Sequence, residues 1–402
     1  MSPFSIKPRL YFTDRVKPEQ QLSAKSGTGF SYPGFGQNCG KTEYSVSQQL
    51  ICHFISNFIG KIIFPHHMQV GLFIGKFNPP HLGHISSILQ AHAMCDTLYV
   101  CVCANSAEEL DKSVIPGKTR KMWLSQEFQP YAQIKVIRID EAGIPAYPNG
   151  WVQFASLVKT QLSQTITICF GGEDKYRDGF RTHFNASYTL IDPLRKRNSI
   201  SSTIIKQNPT LHFNFICKAA RPHFTKKVLV CGTESCGKTV LTMKLSQIFN
   251  TNWSEEVGRY YSERYLGFDE EAYSDDDFVR ICALQIENDT QKIKGANKIC
   301  FFDTDAVITQ YYAEIYQGHS IPAIETFVNP HKFDLVLIMT PQVKWVDDGL
   351  RFLGEQEKRE ELHQKLKQMY IDRGFENIAE VSGTDYHERL QKCVQLCDEL
   401  LQ

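Results

Sequence analysis

Two glycine-rich segments, each directly behind an apolar run, constrain the fold of this 402-residue chain more than any other feature. The first is Gly75-Lys76-Phe77-Asn78-Pro79-Pro80-His81-Leu82-Gly83-His84; the second is Gly232-Thr233-Glu234-Ser235-Cys236-Gly237-Lys238-Thr239. An apolar strand, a glycine turn and then helix-compatible sequence form a βα unit, whose helix start presents free N–H groups and a positive dipole end to anions. Two such units with different motifs predict two α/β sheets, a fusion rather than a duplication.

Length fits two domains and an extension, and 42% hydrophobic residues supply ordinary cores. Lys plus Arg and Asp plus Glu each total 44. With no net field to hold a nucleic-acid backbone, anionic partners must be captured locally. The 13 cysteines are scattered, many on apolar runs (Cys101, Cys103, Cys169, Cys231, Cys300), and none forms a Cys-x-x-Cys pair. That pattern fits buried free thiols in a reducing cytoplasm. The most apolar early stretch, 51–64, contains His53 and Lys61 and falls short of the roughly 20 residues a bilayer requires, so no membrane span is expected.

Residues 1–67 show no sustained period of 2 or 3.6 and form an extension of unread role. Within them 36–42 imitates a phosphate loop, but Phe35 stands where its first glycine belongs. From Met68 apolar runs recur at 70–74, 98–103, 134–139, 166–170 and 188–191, separated by helix-compatible stretches such as 84–93 and 151–162. This alternation predicts a parallel sheet with right-handed crossovers over 68–209. Asn208-Pro209 and Arg221-Pro222 bracket an expected linker at 210–225. A second α/β series fills 226–402, with strands at 228–231, near Trp253, and at 299–302, 335–339 and 378–381, and helices at 238–249, 275–292 and 356–370.

At the first motif, Gly75 permits a tight turn and Pro79-Pro80 stiffens the loop that delivers His81 and His84 to a helix start. Spacing of three puts the imidazoles on one helical face, placed to donate hydrogen bonds to a triphosphate; surface or metal-ligating histidines are the bland alternative. The string resembles the HxGH signature of the adenylyl/cytidylyltransferase superfamily, over about 68–207. The superfamily's second signature, Ile-Ser-x-Thr-x-x-Arg, is matched by Ile200-Ser201-Ser202-Thr203-Ile204-Ile205-Lys206, except that Lys206 replaces the arginine and its bidentate grip. Such enzymes align an attacking phosphate with the α-phosphate of ATP and stabilise charge. Lys76, His81, His84 and Lys206 are the candidates for that work, with magnesium assisting; Gly75, Phe77, Ser201 and Thr203 are expected to contact ATP. Asn149 and Trp151 close a Pro/Gly-rich loop, where the indole either offers a face to a cationic pyridinium ring or anchors a helix in the core.

The second motif satisfies the full phosphate-loop pattern. Gly232, Ser235 and Gly237 are expected to let the backbone surround a β-phosphate, Lys238 to reach the β- and γ-phosphates, and Thr239 to hold magnesium. Asp303 emerges at a strand end, suited to the magnesium shell or to taking a hydroxyl proton; Asp305 either contacts substrate or caps the next helix. Glu255, Glu256 and Arg259 sit where a kinase would grip its acceptor. Trp345-Val346-Asp347-Asp348-Gly349-Leu350-Arg351 resembles a lid, with Arg351 for transition-state charge. Either cluster alternatively forms a solvated salt-bridge face.

In this order the halves resemble the bifunctional NadR family, through both glycine motifs, Tyr147-Pro148-Asn149-Gly150-Trp151, Ala220-Arg221-Pro222, Phe302-Asp303-Thr304-Asp305 and the lid string. The resemblance implies a salvage route: the C-terminal domain phosphorylates nicotinamide riboside with ATP to the mononucleotide, and the N-terminal domain adenylylates that with a second ATP to NAD and pyrophosphate. It also places the Trp151 counterpart near the nicotinamide. Competing expectations are an NAD-sensing repressor, disfavoured because the sequence of 1–67 shows no paired helical pattern with a central Gly turn and no basic recognition-helix pattern, and a transferase fused to a different small-molecule kinase. Self-association is left open.

Overall fold

The computed structural model describes residues 68–111, 114–343 and 356–402; the extension 1–67 lies outside them. The first sheet holds β1 (Val70–Gly75), β2 (Thr97–Ala104), β3 (Ile134–Asp140), β4 (Ile168–Gly171) and β5 (Ser187–Leu190) in the order β3-β2-β1-β4-β5, every pairing parallel. Its helices are α1 (Leu82–His92), α2 (Gly117–Glu127), α3 (Trp151–Thr160), α4 (Arg177–Phe184) and α5 (Ser202–Gln207). Side chains alternate across the strands as a two-faced buried sheet demands. Leu98, Val100 and Val102 join one core, while Tyr99, Cys101 and Cys103 join the other.

The second sheet, β6 (Lys226–Gly232), β7 (Trp253–Ser254), β8 (Ile299–Asp303), β9 (Leu335–Met339) and β10 (Ile378–Val381), runs β10-β9-β6-β8-β7, again parallel. It is covered by α6 (Lys238–Ile248), α7 (Asp275–Lys294), α8 (Ala306–Tyr316), α9 (Gln356–Asp372) and α10 (Tyr386–Leu401). Leu229, Cys231, Cys300 and Phe302 face one core; Val228, Val230, Ile299 and Phe301 face the other. Each sheet turns in strand order beside its first strand, and ligand crevices of open α/β sheets form at such switch points, beyond the carboxyl ends of the strands. Both glycine motifs lie there.

The stretch expected as a linker is packed rather than free. Phe213, Ile216, Cys217 and Ala220 are buried against Ile115, Trp123, Ile200 and Ile205, and Arg221 donates to the carbonyls of Ile216 and Asn214. The Ile216 backbone bridges His81, and the Cys217 N–H donates to the Pro80 carbonyl at 3.2 Å, so this connector buttresses the histidine loop. Every cysteine among the described residues is a free thiol. No helix among the described residues is long and apolar enough to cross a membrane.

Candidate active sites

The first site grows from the end of β1. Gly75 is required by contact rather than by its own torsion: a Cβ there would meet the Phe77 ring at 2.8 Å, and Phe77 itself takes the left-handed backbone, φ 49°. The Phe77 ring is 1% exposed and packs edge-on against His84, centroids 5.0 Å apart. The Phe77 ring is therefore a core wedge that sets His84, which leaves the backbone of Phe77 as its means of meeting ATP.

His81 is the extended residue that caps α1, so the two histidines do not share a helical face. Their rings nevertheless stack, centroids 3.7 Å apart at 27°, because the cap folds back over the first turn. Both are withdrawn from solvent, and each Nδ1 lacks a hydrogen-bond partner. Burial, helped by the charge of Arg195, lowers His81 to about 4; burial, then His81 and Arg195, holds His84 well below the ordinary imidazole range. At neutral pH the pair presents neutral donors. Fixed positive charge must come from neighbours such as Lys76, which is exposed on the loop.

The frame of this site includes residues that sequence reading passed over. Buried Arg120 donates Nε to the Ile115 carbonyl at 2.8 Å and Nη1 to the Cys103 carbonyl at 3.0 Å and to that of Lys76, tying the histidine loop to β2. Ser201 caps α5, its hydroxyl accepting the Ile204 N–H at 3.3 Å. Its neighbour Ser202 makes the join, donating Oγ to the Pro79 carbonyl at 2.9 Å. Thr203 and Lys206 are exposed on α5.

Trp151 opens α3 and is half-buried in an aromatic cluster: parallel to His183 at 5.8 Å, and edge-on to Tyr147, Tyr176 and Phe180. Gly179 makes room for it, since a Cβ there would fall 2.1 Å from the indole. Asn149 is exposed on the preceding turn. The indole thus anchors a helix start and also borders the surface.

The second site is an open cleft of about 230 Å³ over the end of β6. Gly232, Ser235 and Gly237 all adopt positive φ, as a loop that turns its N–H groups inward requires, and the Tyr386 ring lies 2.8 Å from where a Gly237 Cβ would be. Lys238 is buried, with Nζ donating to the Thr233 carbonyl at 3.0 Å. Burial opposes its charge, but Cys236, Glu256, Asp303 and Glu234 outweigh that and raise its pKa.

Asp303 ends β8 fully buried, and neither carboxylate oxygen makes a hydrogen bond. Burial and the Glu256 charge push its pKa up to about 7, against the pull of Lys238, Thr239 and Arg259. Two carboxyl groups, a lysine, an arginine and a threonine hydroxyl thus converge on one spot, the kind of perturbed cluster that marks a reaction centre. Glu256 and Arg259 line the cleft with Lys238 and Thr239.

The opposite wall was not foreseen. Tyr273 lies parallel to Phe278 at 5.1 Å and to Tyr316 at 5.8 Å, and Tyr316 to Tyr312 at 5.9 Å, a stepped stack drawn from α7, α8 and the loop before α7. No single sequence window holds these rings, so only their convergence reveals them. Glu234 and Glu256 act on the Tyr312 phenol, placing negative charge beside the aromatic faces.

Two expectations need revision, and a third is not reached. Asp305 does not reach substrate: its carboxylate caps α8, accepting the N–H groups of Val307 and Ile308 and the Tyr370 hydroxyl at 2.7 Å. The capping alternative wins because the side chain turns back into the core. Glu255 is a surface ion pair with Lys292 at 2.6 Å, the solvated-face alternative. Arg351 and the lid string fall at 344–355, outside the described residues.

The fold and these two centres define a class: an HxGH nucleotidyltransferase domain followed by a P-loop kinase-like domain. Residues 72–208 match the Cytidylyltransferase-like family and residues 227–389 the AAA domain family. The chain is 30% identical over 360 residues to the "Trifunctional NAD biosynthesis/regulator protein NadR" of Escherichia coli K12, covering 86% of this chain and 87% of that protein. The Salmonella typhimurium LT2 protein of the same name is 30% identical over 358 residues, with the same coverage. Among solved structures, NadR in complex with NR superposes with a TM-score of 0.71 at 25% identity over 83% of this chain and 96% of that one; the complex with NAD and AMP-PNP gives 0.69 with the same identity and coverage. The chain belongs to the NadR family of enzymes in NAD biosynthesis.

Proposed function

We infer that the chain carries out two consecutive reactions: phosphorylation of nicotinamide riboside at the second site and adenylylation of the resulting mononucleotide at the first. The observation that carries the reading is the cleft over β6, where Lys238, Glu256 and Arg259 share the lining with a stepped aromatic stack and the buried Asp303 carboxylate interacts with all three. Aromatic faces beside carboxylates suit a cationic pyridinium ring, and the carboxylates suit a primary hydroxyl. The riboside oxygen attacks the γ-phosphorus of ATP, its proton passes to the carboxylate pair, and the bond to the β-phosphate oxygen breaks to leave ADP. Lys238 neutralises charge on the transferred group.

The NadR structures with NR and with NAD and AMP-PNP support these ligands by kinship. Magnesium fits the second site: the orphaned Asp303 carboxylate and the Thr239 hydroxyl would hold it, and it would neutralise phosphate charge.

At the first site the mononucleotide phosphate attacks the α-phosphorus of ATP and pyrophosphate leaves. His81 and His84 donate to the phosphates while Lys76 supplies charge. Trp151 borders the nicotinamide, with Asn149 on the same loop.

The test is incubation of the full chain with ATP, magnesium and nicotinamide riboside, with products separated by chromatography. Mononucleotide followed by NAD is expected. Absence of both would overturn the reading in favour of other substrates for the same two domains.

A further inference from the structure

Lys206 occupies the position at which the second transferase signature carries arginine, and it is exposed on α5. An ammonium gives one point charge where a guanidinium gives a planar fork that matches phosphate. The loop between β5 and α5 carries three cations in a row, Arg195-Lys196-Arg197, and its shape treats them differently.

Asp192 and Arg195 both take the left-handed backbone, φ 43° and 50°, which an aspartate visits readily but an arginine adopts only when its surroundings hold it there. The enforcement is visible. The Asp192 carboxylate accepts the N–H groups of Lys196 at 2.8 Å and Arg197 at 3.2 Å, its carbonyl accepts the N–H of Arg195 at 2.9 Å, and the Ser199 hydroxyl donates to the Arg195 carbonyl at 3.3 Å. The loop abuts the histidine motif: the Asn198 Cβ lies 3.6 Å from where a Gly83 Cβ would be, and Ser202 grips the Pro79 carbonyl. Of the three cations, Arg195 acts electrostatically on both His81 and His84.

We propose that Arg195, carried by this turn beside the histidine loop, is the guanidinium that binds the β- and γ-phosphates of ATP at the first site, the role left vacant by Lys206. The inference rests on adenylyl transfer at that site. In the step, an oxygen of the mononucleotide's phosphate dianion forms a bond to the α-phosphorus, and the bond from that phosphorus to the bridging β-oxygen breaks. The electron pair and negative charge leave with pyrophosphate, and no proton need be removed from the attacking dianion. Charge therefore grows on the leaving group, where a fork fixed in advance helps most.

The test measures KM for each substrate in both directions, NAD formation from ATP and mononucleotide and the reverse from NAD and pyrophosphate. Arg195→Ala should raise KM for ATP and for pyrophosphate about 10- to 100-fold, the scale of a lost charge-assisted contact, and leave KM for mononucleotide within about twofold. Arg195→Lys should recover part of the loss. Arg197→Ala, which removes the same charge two residues away, should match the parent. Unchanged KM for ATP and pyrophosphate in Arg195→Ala, or equal losses in the Arg197→Ala control, would overturn the assignment. A uniform loss that includes mononucleotide would also overturn it, as the mark of a merely structural residue. Calorimetric titration of ATP into Lys238→Ala chain, with and without Arg195→Ala, reads phosphate binding at the first site without turnover. If the parent makes no NAD, the functional reading fails while this titration still decides the role of Arg195.

Discussion

Asp303 joins function and stability in a way that one substitution separates. Its carboxyl is buried without a hydrogen bond and is pushed from 3.8 up to about 7 by burial and by Glu256. A carboxyl whose pKa rises on folding contributes stability that is complete below its unfolded value near 3.8 and is lost as pH climbs through about 7. About three pKa units correspond to about 4 kcal/mol, an upper bound because Glu256 adjusts with it. Asp303→Asn removes the titration and leaves an amide whose own burial costs about 1–3 kcal/mol. The variant should therefore be more stable than the parent at pH 8 by about 1–3 kcal/mol, or about 2–10 °C in melting temperature for a domain of this size. At pH 4.5, where the parent carboxyl is protonated, the gain should shrink or reverse. Kinase turnover at pH 8 should fall about 10²- to 10³-fold. The assay is thermal unfolding of both proteins without nucleotide or metal at the two pH values, beside riboside phosphorylation. A variant that is no more stable at pH 8 than at pH 4.5, relative to the parent, would refute the claim that this carboxylate is held charged at a cost to the fold.

Four further outcomes are expected. Lys238→Ala should abolish riboside phosphorylation yet spare adenylylation of supplied mononucleotide, and His84→Ala should do the reverse; coupled assays with each intermediate read both, and loss of both activities in either variant would contradict independent sites. Tyr370→Phe removes one of three donors to Asp305, so it should cost about 1–2 kcal/mol in urea unfolding while KM for the riboside stays within twofold; a large KM change would return Asp305 to the substrate. Gly179→Ala drives a methyl into the Trp151 indole, and KM for mononucleotide should rise several-fold with the kinase step unaffected, measured by steady-state rates. In the parent without nucleotide, magnesium affinity should weaken as pH drops through about 7, because protons compete with the ion for Asp303; an affinity that stays flat between pH 6 and 8 in calorimetric titration would argue against Asp303 as a ligand.

Much of the architecture was legible in the chain. Strand positions at Leu335–Met339 and Ile378–Val381 coincide with the expected ones and the others fall within two residues, most sharply where a central strand such as Leu335–Met339 is buried on both faces and is therefore continuously apolar. Helices were less legible: in α2 the apolar residues Met122, Trp123 and Leu124 are consecutive and trace no stripe, and α8 is apolar around most of its surface.

At the sites, local grammar determined the phosphate loop of Gly232 to Thr239, the histidines behind β1 and Asp303 at its strand end, since each is a short motif whose spacing is its geometry. What only tertiary structure decided was the division of labour among residues distant in sequence. Phe77 and Asp305 turn inward, Glu255 pairs with Lys292 at the surface, Tyr273, Phe278, Tyr312 and Tyr316 meet as one wall, and Arg120 and the 210–225 connector brace the histidine loop. Even the protonation of His81, His84 and Asp303 belongs to this level, because desolvation and neighbouring charge depend on what packs around a group and not on its place in the chain.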